Sequence, residues 1–222
     1  MGAFEQLSVC FRDGIVAVAQ RLGYSESNIL ILEGNEAELR RRFPDVYANL
    51  LSCGHNKDAR TYMEYAQDLV SSWVFEDFIM TELVNAGLEI SKAGADKDRA
   101  ILAHANVSAD SDYSVEWQGE VVLLELMSDY TGYWTRTGRM DLRDSKYLKL
   151  ERNESLFLGI STQDRKFIFL DFSEDIPARY IDSHRPYGGK PAYQIHVNED
   201  MLVPFNIARL VETIKSAIEM RD

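Results

Sequence analysis

Two carboxylates, Asp112 and Glu125, stand in the stretch DYSVEWQGEVVLLELM (112–127), whose spacing makes them a facing pair. The stretch alternates as a β-hairpin does, with Gln118-Gly119 as its two-residue turn. A two-residue loop sets Trp117 opposite Glu120, Val115 opposite Val122 and Asp112 opposite Glu125. Opposed residues share a face, with Cβ atoms about 5 Å apart. One face then holds Tyr113, Val115, Trp117, Val122, Leu124 and Leu126, apolar except for Glu120 beside the turn. The other holds Asp112, Ser114, Glu116, Val121, Leu123, Glu125 and Met127. Like charges in direct opposition are destabilising, and a divalent cation is the economical way to offset them. Either acid alone reads as a turn residue or a solvent-facing strand residue; their opposition across an apolar reverse side is what points to a site. A hard cation held there can activate a water, neutralise a phosphate and assist a leaving oxygen. Mg²⁺ suits the pair, because it uses one or two protein carboxylates and takes its other ligands from water and substrate. The four histidines are scattered, which disfavours zinc.

The surrounding elements follow from periodicity. Residues 3–22 have the spacing of an amphipathic helix (Phe4, Leu7, Phe11, Ile15, Val18, Leu22) that stops at Gly23. Ile29 to Leu32 reads as a short strand or packed turn. Asn35 caps a helix that carries Arg40 to Arg42, Pro44 interrupts it, and a short helix covers Asp45 to Leu51. The triple arginine reads as a solvated helix face. The loop Gly54 to Asp58, with His55 at the surface, divides an N-terminal helical region (1–58), the expected dimerisation part, from a main body (59–222). The longest helical pattern runs from Arg60 to Ala86 and ends at Gly87. Glu76 lies on its apolar arc with Leu69, Trp73, Met80 and Leu83, where an acid must be paired, hydrogen-bonded or metal-bound to be buried.

Leu88 to Ser91 is expected as a strand, and the loop GADKDRA after it lacks the pattern of a nucleotide-binding P-loop. Beyond the hairpin, Asp141 with Asp144 resembles an N-cap and its acidic third residue, opening a helix over 142–152. Ser155 to Ser161 and Lys166 to Phe172 read as strands, the first buried on both faces. Residues 176–192 read as a long loop, Tyr193 to Val197 as a last strand, and Asn206 as the cap of a final amphipathic helix. The sum is a mixed sheet with flanking helices, an α/β or α+β domain.

The totals exclude other classes. The chain has 222 residues, a formal charge of −12 and no apolar run near the roughly 18 residues of a membrane span. Its first residues lack the basic region and unbroken apolar core of a signal peptide, so a cytoplasmic protein without membrane contact is expected. Cys10 and Cys53 are far apart with no CxxC partner, which excludes a four-cysteine zinc site. Bulk charge of this sign argues against coating nucleic acid. Between residues 131 and 150, however, five basic side chains (Arg136, Arg139, Arg143, Lys146, Lys149) face two acids (Asp141, Asp144), with Tyr130, Tyr133 and Trp134 beside them. Such a cluster fits phosphate contact and stacking, or for Trp134 core packing. The loop from Arg179 to Lys190, with His184, Arg185 and Tyr187, has the composition to reach base edges.

An acid on a helix (Glu76), an Asp before a strand (Asp112), a Glu in the next strand (Glu125) and then a basic helix together resemble the PD-(D/E)XK nuclease superfamily, over about residues 65–172. The resemblance implies a restriction-endonuclease-like fold, with a mixed central sheet flanked by helices, and Mg²⁺-dependent hydrolysis of double-stranded DNA. It makes Asp112 and Glu125 metal ligands and Glu76 the helical acid that many members add. Met127 stands where the motif has Lys, and Ser111 where it often has Pro. Lys146 on the following helix is the candidate for a lysine that has changed place, ahead of Lys92 and Lys149. Arg136, Arg139, Arg143, Lys149, Tyr133 and Arg185 would hold the DNA. Cutting both strands of a palindromic site implies a homodimer. The leading expectation is a sequence-specific enzyme of the restriction type. The alternatives are a structure-specific nuclease of repair, recombination or phage replication, and a non-catalytic interaction protein on the same scaffold.

Overall fold

The structure, a computed structural model, describes residues 14–54, 60–93, 97–101 and 111–221. By contacts these form two compact units: residues up to Thr81 with 98–101, and residues 82–93, 97 and 111–221. The expected division at 54–58 falls mostly outside the described residues. So do the first part of the helix expected over 3–22, Cys10, His55 and three residues of the GADKDRA loop.

The first unit is helical, with α1 (Ile15–Arg21), α2 (Glu26–Leu32), α3 (Glu36–Arg42), α4 (Pro44–Ser52) and most of α5 (Tyr62–Asn85), whose last residues belong to the second unit. Gly23, at φ +79°, follows α1 as expected. Ile29 to Leu32 is helical, neither a strand nor a packed turn: Ser25 accepts a hydrogen bond from the Asn28 N–H and Glu26 occupies the first turn, two signals that outweigh the two β-branched residues Ile29 and Ile31. Asn35 caps α3 as expected, accepting from the Glu38 N–H at 3.3 Å. α5 opens with a reciprocal box. Thr61 Oγ1 accepts from the Glu64 N–H at 3.2 Å, and Glu64 accepts from the Thr61 N–H at 2.7 Å. Gly87, at φ +93°, takes the chain off the end of that helix.

The second unit is built on a six-stranded mixed sheet in the order β1-β2-β3-β5-β6-β9. Its strands are β1 (Glu89–Lys92), β2 (Tyr113–Trp117), β3 (Glu120–Asp129), β5 (Leu156–Ser161), β6 (Lys166–Asp171) and β9 (Val203–Pro204). The hairpin register is the expected one, Trp117 opposite Glu120 and Tyr113 opposite Leu124. Gln118 (φ +52°) and Gly119 (φ +91°) both take the left-handed backbone that a tight hairpin turn demands. β3 pairs with β5 in parallel, and every other neighbour in the sheet is antiparallel. All six residues of β5 are buried, as its apolar run required.

The crossover from β3 to β5 contains α6 (Tyr133–Thr137), β4 (Arg139–Arg143) and α7 (Asp144–Arg152). β4 opens a second, three-stranded sheet in the order β4-β8-β7, with β7 (Ala178–His184) and β8 (Lys190–His196) joined by a short 3₁₀ turn at Arg185–Tyr187. Two expectations are corrected here. Residues 178–184 and 190–192 belong to strands, not to a long loop. Asp141 is not a cap but a buried strand residue, and the helix begins at Asp144. The final helix, α8 (Ile207–Glu219), is capped by Asn206, whose Oδ1 accepts from the Arg209 N–H at 3.0 Å.

A core cluster joins Trp134, Met140, Leu142, Tyr147 and Leu150 of the crossover to Phe157 of β5 and Ile168 of β6. Trp134 lies over Gly159 so closely that a Cβ there would stand 2.8 Å from the indole Cη2. Gly159→Ala should therefore cost about 1–3 kcal/mol through overpacking, read as a lower midpoint of urea unfolding at unchanged slope. A variant as stable as the parent would mean that Trp134 has room to move. Among the described residues, no helix is long and apolar enough to cross a membrane.

Candidate active site at the hairpin

Alternation along β3 places Glu125 on the face away from Leu124 and Leu126, yet Glu125 is only 2% exposed. Asp112, just before β2, turns its carboxylate onto the same place. Its Oδ2 accepts a hydrogen bond from the Leu126 N–H at 2.9 Å, and its carboxylate lies near enough to Glu125 to raise that carboxyl. The opposition of the two acids thus persists one residue beyond the ladder, at the open end of the strand pair.

The third member comes from another element. Lys146 Nζ forms an ion pair with Glu125 Oε1. Lys146 lies in the first turn of α7, and the phase of that helix is held by its neighbours. Tyr147 stacks on Tyr193 with ring centroids 4.1 Å apart, its hydroxyl donates to the Ile176 carbonyl at 2.7 Å, and Leu150 is buried. With positions 147 and 150 turned into the core, position 146 faces the carboxylates. Met127, two residues along from Glu125, packs instead against the apolar cluster to which Tyr147 and Leu150 belong.

Burial is the largest influence on Glu125 and pushes its carboxyl up to about 8. The Lys146 ammonium pulls the other way, and the Asp112 carboxylate adds to the rise. The raised value disfavours ionisation of Glu125 when no cation is bound, and a bound cation would reverse that. The donor set fits a hard divalent ion, since two carboxylates at a strand end leave the remaining positions to water and substrate oxygens. Among the described residues there is no group of three or more His, Cys, Asp or Glu side chains poised as a closed cage.

The other expected residues fall as follows. Glu76 is buried in the first unit, where its Oε2 lies 3.0 Å from Arg99 Nη1. The neighbouring Asp77 takes Arg99 Nη2 at 2.7 Å on one oxygen and the Tyr24 hydroxyl at 2.8 Å on the other. Burial and that carboxylate raise the Tyr24 hydroxyl far above its ordinary value. This cluster was missed in the sequence, because Arg99 sits in a charged loop with no pattern of its own. Arg136, Arg139, Arg143 and Arg185 are exposed and Lys149 is half-buried. Tyr133 gives its hydroxyl to Asp141 Oδ2 at 3.0 Å, and Trp134 is core, not a stacking surface.

No family model matches the chain, and no curated protein does. Among solved structures it is similar to Hjc, a Holliday junction resolvase from Archaeoglobus fulgidus, at 12% identity and a TM-score of 0.36, over 63% of this chain and 97% of that one. The architecture itself, a mixed central sheet with helices beside it, is the one that the resemblance to the PD-(D/E)XK superfamily implies.

Proposed function

We propose that this protein is a metal-dependent nuclease that hydrolyses phosphodiester bonds of double-stranded DNA, with Asp112 and Glu125 as the metal-holding acids and Lys146 as the lysine of the site. The observation that carries the reading is the meeting of Lys146 with Glu125 from a separate helix, at a site where strand position 127 supplies only Met. A hard cation bound by the two acids, with Mg²⁺ the expected one, would supply charge neutralisation at the phosphate and a more acidic attacking water. Asp112, tied by one oxygen to the Leu126 N–H, holds its other oxygen in a fixed direction. Glu125 must give up its proton to serve, and Lys146 favours that ionised form. Lys146 also stands where an ammonium can orient the attacking water or steady the phosphate as negative charge builds.

The leading form of the activity is sequence-specific cutting by a homodimer, one site for each strand. The test is cleavage of supercoiled plasmid, linear duplex and a four-way junction, with Mg²⁺ and with EDTA. Discrete fragments from plasmid that depend on Mg²⁺ fit the restriction type, and junction-only products identify a structure-selective nuclease of the same chemistry. No cleavage of any DNA at any divalent metal would sink the proposal and leave the scaffold reading.

A further inference from the structure

The second sheet has two unlike faces. Its register puts Met140, Leu142, Tyr193 and Ile195 on one side, which is core. On the other side stand Arg139, Asp141, Arg143, Arg179, Gln194 and His196. The middle of this second face is closed. Asp141 is buried and accepts from Gln194 Nε2 at 2.9 Å and from the Tyr133 hydroxyl at 3.0 Å, with His184 Nε2 at 3.2 Å. Tyr187 donates its hydroxyl to the Asp141 carbonyl at 2.6 Å. Around this fixed centre Arg139, Arg143 and Arg179 are exposed.

Five arginines of the described residues are bound to carboxylates, Arg41 to Glu38, Arg42 to Glu26, Arg60 to Asp68, Arg99 to Asp77 and Arg221 to Asp171, while others, among them Arg136, Arg185 and Arg209, have no ion pair there. The three on this face have no carboxylate partner among the described residues, although Asp144 and Asp182 are close in sequence. Arg143 rests on the Tyr187 ring, 5.4 Å from its centroid. A guanidinium held by an aromatic face is oriented yet keeps its N–H donors for another anion. Arg139 and Arg143 are four strand residues apart, roughly 13 Å, and Arg179 lies two strands from β4, roughly 10 Å away. That spread is too wide for one small anion and matches several successive phosphates of a duplex. Arg143 immediately precedes α7, the helix that carries Lys146 three residues further on.

We infer that this face is the track on which the DNA backbone is held, Arg139, Arg143 and Arg179 each taking a phosphate and leading the strand to Lys146. The inference rests on the nuclease reading and adds to it a binding surface, with Arg179 and the second sheet as its platform. In a chain of net charge −12, such a row would also fix the orientation of approach, since most of the remaining surface repels DNA.

The test is fluorescence anisotropy of a labelled duplex, with the full chain carrying Glu125→Gln so that nothing is cut, over a range of salt. Arg139→Ala, Arg143→Ala and Arg179→Ala should each weaken binding about 3- to 10-fold near 0.1 M salt and flatten the plot of log K against log salt by roughly one unit. Arg179→Lys, which keeps the charge on an exposed edge strand, should keep the parent slope, and Arg209→Ala on α8 should change nothing. If the parent binds duplex but the three arginine variants match it in affinity and slope, the track is overturned while the nuclease reading stands. If the parent binds no DNA, both fail together.

Discussion

Glu125→Gln should remove DNA cleavage and at the same time make the metal-free protein more stable. The buried carboxylate is raised to about 8, against about 4.3 in an unfolded chain. Below the lower value both states are protonated and the group has no effect on folding. Between the two values the folded state keeps a proton that the unfolded chain has lost, so stability falls as pH rises from about 4 to about 8. For this group alone the loss by pH 8 is on the order of 3–5 kcal/mol. Gln cannot ionise and escapes it, giving back only the ion pair with Lys146. In EDTA at pH 8 the variant should melt above the parent, and at pH 5 the two should converge. Mg²⁺ should raise the melting point of the parent and leave that of the variant unmoved. Cleavage should fall roughly 10³-fold or more, as loss of a metal-holding acid implies. A variant that still cuts DNA would end the assignment, and one that melts lower at pH 8 would mean that Glu125 is a structural partner of Lys146.

Lys146→Ala should be nearly as severe for catalysis but spare DNA binding. Removing a group that orients or protonates at the reacting atoms costs about 10²- to 10⁴-fold, whereas loss of one phosphate contact costs mainly affinity and salt dependence. The variant has a second signature. Without the ammonium, the Glu125 carboxyl rises further, since Lys146 is what opposes burial there. Mg²⁺ should therefore bind more weakly at pH 7, with affinity recovering only at higher pH than in the parent. Single-turnover rates and isothermal titration with Mg²⁺ across pH 6 to 9 measure both. Unchanged single-turnover rates with a lowered salt slope would make Lys146 a phosphate contact instead.

Much of the central sheet could be read from the chain because its cues are local. The Gln118-Gly119 turn sets the hairpin register, and register sets which side chains meet. The C-terminal helix announced itself by Asn206 and five apolar residues at helical spacing. Of the second sheet, β8 was legible in part as the strand expected over Tyr193 to Val197, whereas β7 was hidden because it is half-exposed and carries no clean alternation of apolar residues. Asp141 misled for a related reason: a short acid three residues before another acid fits a cap, and only the partner strand β8 reveals it as a ladder residue opposite Gln194. The meeting of Lys146 with Glu125 lay between these cases. Its place on the basic helix after the hairpin made Lys146 a candidate for the motif's lysine, but its partner depends on Tyr193, nearly fifty residues away. Met127 is explained by the same packing. The position that the motif gives to Lys here borders the apolar cluster that seats α7, so a charge at 127 would be solvated poorly where the helix needs contact.

The parallel pairing of β3 with β5 has a consequence for how the chain becomes active. Parallel neighbours cannot be joined by a tight turn, so everything between Asp129 and Leu156 must be laid down before the pair closes. Lys146 rides on that connection. Its encounter with Glu125 is therefore a long-range event that waits on closure of the crossover, among the slower kinds of step in folding. The hairpin with its two acids can form early, from residues close in sequence. On refolding, hairpin and helix signals should precede regain of cleavage, which would follow the docking of α7.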